Sequence, residues 1–386
     1  MKNLKLNKSK LILISALFLI FYNEILVYWL AYLKWPQLDD KNLIFYKNGS
    51  KIANINDRPV RLLLVADPQL IGENDEPWYL SWLAQWDCDR YLKSGFNYAN
   101  SYTKPDATIY LGDLFDEGLK SSDEQVERYY QRFKSIYQFD KMLEIYNTKQ
   151  IFISGDNDIG GEYQGDRNTQ LVERFEKYFG PNVDLINFNS FINFLKLDLD
   201  YVSSFYDGSK REYVRDLIKL NQNDKYTIIL NHISILRGDR DELIYLSKDT
   251  KAGLIIKGDS HLFEIIKYSF ETHRSVEYIN WQRNPSNLYK MNLERDTSRD
   301  VKYIYELSIP TCSYRMGVPN MGYGVLTLYP NGNAIVSILW LPSRFFSIKL
   351  YIIYIFFVAI LLPFFSYCFK KSFFKTNNVI IYNKRA

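Results

Sequence analysis

Five short apolar runs, each passing directly into polar residues, set the pattern of this chain: LLLVADPQL, IYLGDLFDEG, IFISGDNDIG, TIILNHISIL and LIIKGDSHLFE. A run of Leu, Ile and Val that is apolar at every position reads as a strand buried on both faces, the habit of parallel sheets. Segments of helical period lie between the runs. Residues 121–147, opened by Ser and Asp caps with Glu in the first turns, predict one helix, and 170–179 predict another. Strand, helix and strand in that order imply βαβ units. Runs at 324–329 and 334–341, joined by Pro-Asn-Gly-Asn, predict a β-hairpin. Residues 268–300, rich in Tyr and Arg with an Asn-Pro-Ser step, predict a loop over the site or a partly mobile insert.

Two apolar stretches stand outside this alternation. Residues 11–33 are apolar except for Asn23 and Glu24, and 350–369 carry no charge. Each is long enough to cross a hydrocarbon core, which takes about 20 helical residues. No small-x-small cleavage site follows the first, so a retained anchor is preferred to a cleaved signal peptide. A mid-membrane Glu is costly, and Glu24 either faces a partner or packs in its neutral form without a role. Lys2, Lys5, Lys8 and Lys10 precede the first span, and Lys370, Lys371, Lys375, Lys384 and Arg385 follow the second. The positive-inside rule puts both ends in the cytosol. The expected order is a cytosolic N-terminus (1–10), a span (11–33), a domain on the far side of the membrane (34–344), a second span (350–369) and a basic cytosolic tail (370–386). Asn48-Gly-Ser50 is a glycosylation acceptor on that far side.

Composition narrows the classes further. The chain is 386 residues long and 47% hydrophobic, with a net charge of +4 clustered at the termini, which gives no footprint for nucleic acid. Three Cys without a CxxC pair exclude a disulfide framework and a zinc ribbon. Whether Cys88 and Cys312 pair or stay as thiols is open.

The chemistry lies where the strands end. Asp67, Gln69, Asp113, Asp156, His232, Asp259 and His261 all follow apolar runs, and sites in α/β sheets form just beyond the carboxyl ends of strands. Taken singly, Asp113 or Asp156 reads as a helix cap and His232 as a satisfied buried imidazole. Taken jointly, four Asp, two His and one Gln form the donor set of a two-metal hydrolase, in which cations acidify a water and clamp a phosphoryl group. The balance of hard oxygen donors over imidazole favours Mn²⁺ or Mg²⁺ over Zn²⁺. Asp116 and Asp158 are expected to cap or support these ligands, and His273 to be an ordinary surface residue.

These blocks resemble the calcineurin-like metallophosphoesterases, whose motifs D-x-H, G-D-x-x-D, G-N-H-[DE], a lone His and G-H-x-H stand here as Asp67-Pro68-Gln69, Gly112-Asp113-Leu114-Phe115-Asp116, Gly155-Asp156-Asn157-Asp158, His232 and Gly258-Asp259-Ser260-His261. More narrowly, the chain is similar to the membrane-anchored Cdc1/Ted1/PGAP5 branch, closest to the fungal Ted1 type. Its flanking spans, its Asp-Pro-Gln opening and Pro-Thr-Cys-Ser-Tyr-Arg-Met-Gly at 310–317 carry that likeness.

The resemblance implies a four-layer α/β/β/α sandwich and two divalent cations, most plausibly Mn²⁺. Asp67, Gln69 and His261 would serve one metal, Asp156, His232 and Asp259 the other, and Asp113 would bridge. It also implies a phosphodiesterase in the endoplasmic reticulum membrane, its domain luminal. Such an enzyme removes an ethanolamine phosphate branch from the glycosylphosphatidylinositol (GPI) anchor and supports export of GPI-anchored proteins. Expected partners are the anchor glycan or its proteins, membrane lipid and sorting receptors, with no nucleic acid. Asn157 replaces the family's catalytic His and can donate a hydrogen bond but no proton. That substitution keeps open a weakly active sorting factor, beside a generic membrane phosphatase.

Overall fold

Thirteen strands in two sheets make up the body of the computed structural model, which describes residues 8–39, 58–161, 168–198, 225–237, 250–281, 288–293 and 302–364, with 213, 216, 217, 219 and 367. The strands are β1 (Val60–Val65), β2 (Ala107–Leu111), β3 (Lys149–Ile153), β4 (Asp184–Asn187), β5 (Ile192–Lys196), β6 (Tyr226–Leu230), β7 (Ala252–Lys257), β8 (Glu264–Ser269), β9 (Arg274–Asn280), β10 (Leu288–Asn292), β11 (Tyr303–Ser308), β12 (Gly322–Leu328) and β13 (Asn333–Trp340). One sheet runs β10-β13-β12-β1-β2-β3 and the other β4-β5-β6-β7-β11-β8-β9. The parallel pairs β1-β2, β2-β3 and β6-β7 are formed by the runs that the sequence marks as doubly buried.

Side-chain alternation assigns each face. Leu62 and Leu64 of β1 meet Ile228 and Leu230 of β6 and Leu254 and Ile256 of β7 in the core between the sheets. The opposite face of β1–β3 carries helices Ser81–Thr103 and Asp123–Tyr137, with Tyr137 edge-on to Tyr110, Phe133 tilted against Phe152, and Phe96 edge-on to Tyr137. On the outer face of the second sheet, Ile229, Ile255 and Ile304 form another cluster, against which helical Leu217 packs. The architecture is a mixed α/β sandwich around two sheets.

Two expectations are corrected, and the open question of the cysteines is answered. Residues 268–300 are not a loop where they are described: β9 and β10 run through them, and β9 ends the second sheet. The predicted helix at 121–147 is broken at Gln138, which is left-handed (φ 51°), leaving Asp123–Tyr137 and Phe139–Glu144. Cys88 and Cys312 are separate buried thiols, and burial pushes both up to about 12. The Asn48 acceptor and both basic ends lie outside the described residues.

The apolar helices Ser9–Tyr32 and Arg344–Phe364 are each long and apolar enough to span a membrane. They belong largely to a unit separate from the sandwich. Within that unit Glu24 has partners: its carboxylate accepts from Arg344 (3.0 Å) and from the Tyr351 hydroxyl (2.6 Å). Beside it, the Asn23 amide donates to the Ser347 carbonyl at 3.2 Å. The first helix widens to a π-turn over Tyr22–Leu26, around these two polar residues.

Candidate metal centre

The parallel order of β1-β2-β3 and of β6-β7 aligns five carboxyl ends, and the residues just beyond them converge. Asp67, Asp113 and His232 are buried, and each offers a ligand-type atom within 4.8 Å of the others. The remaining four join them through direct contacts. Gln69 Nε2 donates to Asp113 Oδ2 at 2.9 Å, and the Asp259 backbone N–H donates to Asp67 Oδ1 at 3.1 Å. His261 Nε2 lies 4.0 Å from Asp67 Oδ1, and Asp156 Oδ1 lies 3.5 Å from His232 Nε2. Asp67, Asp113 and His232 thus form one buried group, which Gln69, Asp156 and His261 approach by their side chains and Asp259 by its backbone N–H.

The local backbone is unusual. Asp67, Gln69, Asp113, Asp259 and His261 all adopt positive φ, between 38° and 67°. Non-glycine residues rarely take this region, and such strain concentrates at functional positions because the surrounding fold must enforce it. Gly155 and Gly258, each just before an Asp, are required by proximity. A Cβ on Gly155 would fall 2.0 Å from Asp113 Oδ1, and one on Gly258 would fall 2.8 Å from the Leu111 carbonyl.

Asp113 is the most constrained carboxylate. Besides Gln69, it accepts from Asn157 twice, from the backbone N–H at 3.1 Å and from the side-chain amide at 2.7 Å. Asp158 accepts from the backbones of Leu114, Phe115 and Gly155, fixing the loops that carry Asp113 and Asp156. His232 is oriented by Nδ1 against the Leu111 carbonyl at 2.6 Å, which turns Nε2 toward Asp113 Oδ1 at 3.4 Å. Buried Glu306 accepts from Ser234 and from the backbones of Ile235 and Leu236, anchoring the loop that follows.

Burial dominates the electrostatics. It pushes Asp67 up to about 8, with His232 pulling back and Asp113 adding to the rise. It pushes Asp113 up to about 6 and Asp158 up to about 7. Burial would lower His232, but Asp113, Asp156 and Asp67 outweigh it and hold the imidazole well above its ordinary value. Burial also raises Asp156, yet His232, 3.5 Å away, holds it below the usual carboxylate range. Burial lowers His261.

The donor set fits a divalent cation. Asp67 Oδ2 and His232 Nε2 are buried without a hydrogen bond, and an orphaned buried acceptor beside further carboxylates is what a bound cation satisfies. A cation held there supplies an acidified water and positive charge toward phosphoryl oxygens. The chain itself fixes the carboxylate of Asp113 through Gln69 and Asn157. His232 Nε2 can present a lone pair because the Leu111 carbonyl accepts the proton on Nδ1.

Three further residues were missed in the sequence. Thr311 Oγ1 donates to the Asp67 carbonyl at 2.8 Å and steadies the strained turn. Buried Lys257 sits 3.7 Å from Asp259 Oδ2. Asp198 lines the cleft with Asp156 and His232, and accepts from Asn182 Nδ2 at 2.8 Å. Asp198 stands just after β5, but INFLKLD carries Asn193 and Lys196 and so lacks the unbroken apolar run that marks the others. Asp116 is half-buried and pushed up to about 6 by burial, then by Glu117. His273 is exposed at the turn between β8 and β9.

Comparison with known proteins agrees with this arrangement. The nematode Caenorhabditis elegans protein "Metallophosphoesterase 1 homolog" is 23% identical over 356 residues, covering 88% of this chain and 87% of the relative. The yeast Saccharomyces cerevisiae "Cell division control protein 1" is 22% identical over 81% of this chain and 67% of its own. "Metallophosphoesterase 1" of Macaca fascicularis is 30% identical over 45% of this chain and 40% of its own. Matches to the fly and giant panda relatives cover only about a third of those proteins, 33% and 36%. Among solved structures, a metallophosphoesterase from Sphaerobacter thermophilus aligns over 74% of this chain and 90% of its own at 9% identity. Its TM-score of 0.36 is too loose to carry an argument. The model of the calcineurin-like phosphoesterases matches residues 60–263, more than half of the chain and the whole span from β1 past His261. With five strand ends carrying their ligand-type residues to one buried cluster, the chain belongs to the calcineurin-like phosphoesterase family.

Proposed function

We propose that the chain is a membrane-tethered phosphodiesterase working with two divalent cations, Mn²⁺ in preference. Asp67, Gln69 and His261 serve one cation, Asp156, His232 and Asp259 the other, and Asp113 both. The observation that carries this reading is the position of Asp113, within 3.4 Å of His232 on one side and hydrogen-bonded to Gln69 on the other. The substrate is a phosphodiester on a lipid-linked glycan, the ethanolamine phosphate branch of a GPI anchor. The domain works in the lumen of the endoplasmic reticulum with both chain ends cytosolic, in support of export of anchored proteins. The family resemblance and the two apolar helices support this part.

The test is metal content and diester cleavage on the full chain in detergent, beside Asp113→Ala. Two Mn²⁺ per chain and release of ethanolamine phosphate from an anchor glycan, both lost in the variant, are expected. Bound metal with no cleavage refutes the enzymatic reading.

Asn157 favours a second reading, a weakly active protein that binds anchors or cargo for sorting. Its amide is committed to Asp113 at 2.7 Å and supplies no proton to a leaving group. If this reading holds, Asn157→His raises turnover; an already substantial rate left unchanged or lowered by the substitution excludes it.

A further inference from the structure

The apolar strand β7 (Ala252–Lys257) ends in a charge that stays inside: Lys257 is only 2% exposed. A lysine that contributes only its methylene stem sends its ammonium out to water. This one does not. Lys257 Nζ donates to the Gly258 carbonyl at 3.1 Å and lies 3.7 Å from Asp259 Oδ2, its one ion-pair partner among the described residues. An ammonium so deeply buried requires an opposite charge beside it.

Asp259 is therefore engaged at both ends. Its backbone N–H donates to Asp67 Oδ1 at 3.1 Å, which seats the loop on the metal centre. Its carboxylate, on a side chain 30% exposed, pairs with Lys257. The turn between the two is fixed. The Gly258 carbonyl also accepts from Ser308 Oγ at 3.4 Å, and Ser308 shares a 2.6 Å hydrogen bond with Ser260 Oγ. A full positive charge is thus built into the wall of the centre, against the very carboxylate assigned above to the second cation.

We propose that Lys257 is a positioning residue whose ammonium occupies the Asp259 carboxylate in the metal-free chain and competes for it with the second cation, setting how tightly that cation is held. The proposal rests on the two-cation reading. Removing the ammonium leaves Asp259 without its counter-charge, a loss that the metal-free chain bears and that a bound cation makes good. Stability without metal and affinity for metal should therefore move in opposite directions. A lysine that merely fills space would lower the first without raising the second.

The test is equilibrium dialysis of Mn²⁺ at one fixed pH, on the full chain in detergent, beside Lys257→Met, which keeps the apolar stem. Mn²⁺ should bind roughly tenfold more tightly to the variant, the low end of couplings between close charge pairs because Asp259 is partly exposed. Denaturation in EDTA should show the same variant to be less stable than the native chain. Lys257→Arg, which keeps the charge, should restore native affinity. In an Asp259→Asn background Lys257→Met should leave affinity unchanged, since the ammonium acts through that carboxylate. Lys257→Gln, neutral but still able to donate to the Gly258 carbonyl, gives the same comparison if Lys257→Met does not fold. Affinity that is unchanged or lower without the ammonium, or a tightening that persists with Asp259→Asn, overturns the proposal and leaves two bound cations in place. Native protein that binds no Mn²⁺ overturns the two-cation reading, and the proposal with it.

Discussion

Gly155→Ala isolates the steric demand of the metal centre. Gly155 has φ −108° and ψ 178°, extended backbone that Ala adopts freely. The only cost is therefore the added methyl group. It would stand 2.0 Å from Asp113 Oδ1 and 2.3 Å from the Asp113 backbone nitrogen. The carboxylate could swing aside, but the backbone nitrogen, two residues beyond β2, could not, and it lies roughly 1 Å inside the 3.4 Å at which ordinary contact begins. Overpacking of this kind costs about 1–3 kcal/mol. The shift also moves the carboxylate proposed to serve both cations, so metal affinity should fall by at least the 10–100-fold lost when a supporting contact is removed. Gly180→Ala is the control. Gly180 has φ 81° with nothing within 4 Å of its would-be Cβ, so it carries backbone strain of about 1–2 kcal/mol and no collision. Chemical denaturation in detergent should show comparable losses in stability for the two variants, whereas elemental analysis after dialysis should show lost metal for Gly155→Ala alone. Full metal loading of Gly155→Ala would refute the placement of Asp113 against the third strand's loop.

Asn157→Ala should leave the fold intact and lower Mn²⁺ affinity about 10–100-fold, read by equilibrium dialysis, because one of three donors to Asp113 is lost. Metal uptake should release protons near neutral pH, since Asp67 titrates at about 8 and Asp113 at about 6 in the metal-free protein; apparent affinity should climb from pH 6 to pH 8.5. Stability of the metal-free protein follows the sign of the same shift. The folded pKa of Asp67 lies above its unfolded value of 3.8, so its contribution is fully present below pH 3.8 and is lost as pH rises through about 8. Denaturation in EDTA should therefore show weakening between about pH 4 and pH 8, largely relieved by Mn²⁺. Cys88 and Cys312, both pushed up to about 12, should resist iodoacetamide at pH 8 in the native protein and react after unfolding, as read by mass spectrometry.

Much of the sandwich was legible because doubly buried strands leave unbroken apolar runs, and the ligand-type residues stand directly after them. What escaped was structure without that signature. β9, Arg-Ser-Val-Glu-Tyr-Ile-Asn, is an edge strand whose residues are mostly exposed, so neither face had to be apolar. The break at Gln138 uses a left-handed residue that is neither Gly nor Asn, and nothing in the local sequence marks it. The positive φ of Asp67, Gln69, Asp113, Asp259 and His261 is likewise imposed by tertiary packing, and short motifs do not spell it out. Asp198 escaped because Asn193 and Lys196 interrupt the strand before it.

The contact between Glu24 and Arg344 spans 320 residues of sequence. A ribosome adding about 5–20 residues per second needs roughly 16–64 s to make that interval. For all that time the first span is already synthesised while its guanidinium partner does not yet exist. The carboxylate of the N-terminal apolar helix is thus made long before the guanidinium and hydroxyl that answer it. Truncated chains that stop before Arg344 should consequently be extracted and degraded, however well their sandwich folds, and appending the final helix alone should rescue them.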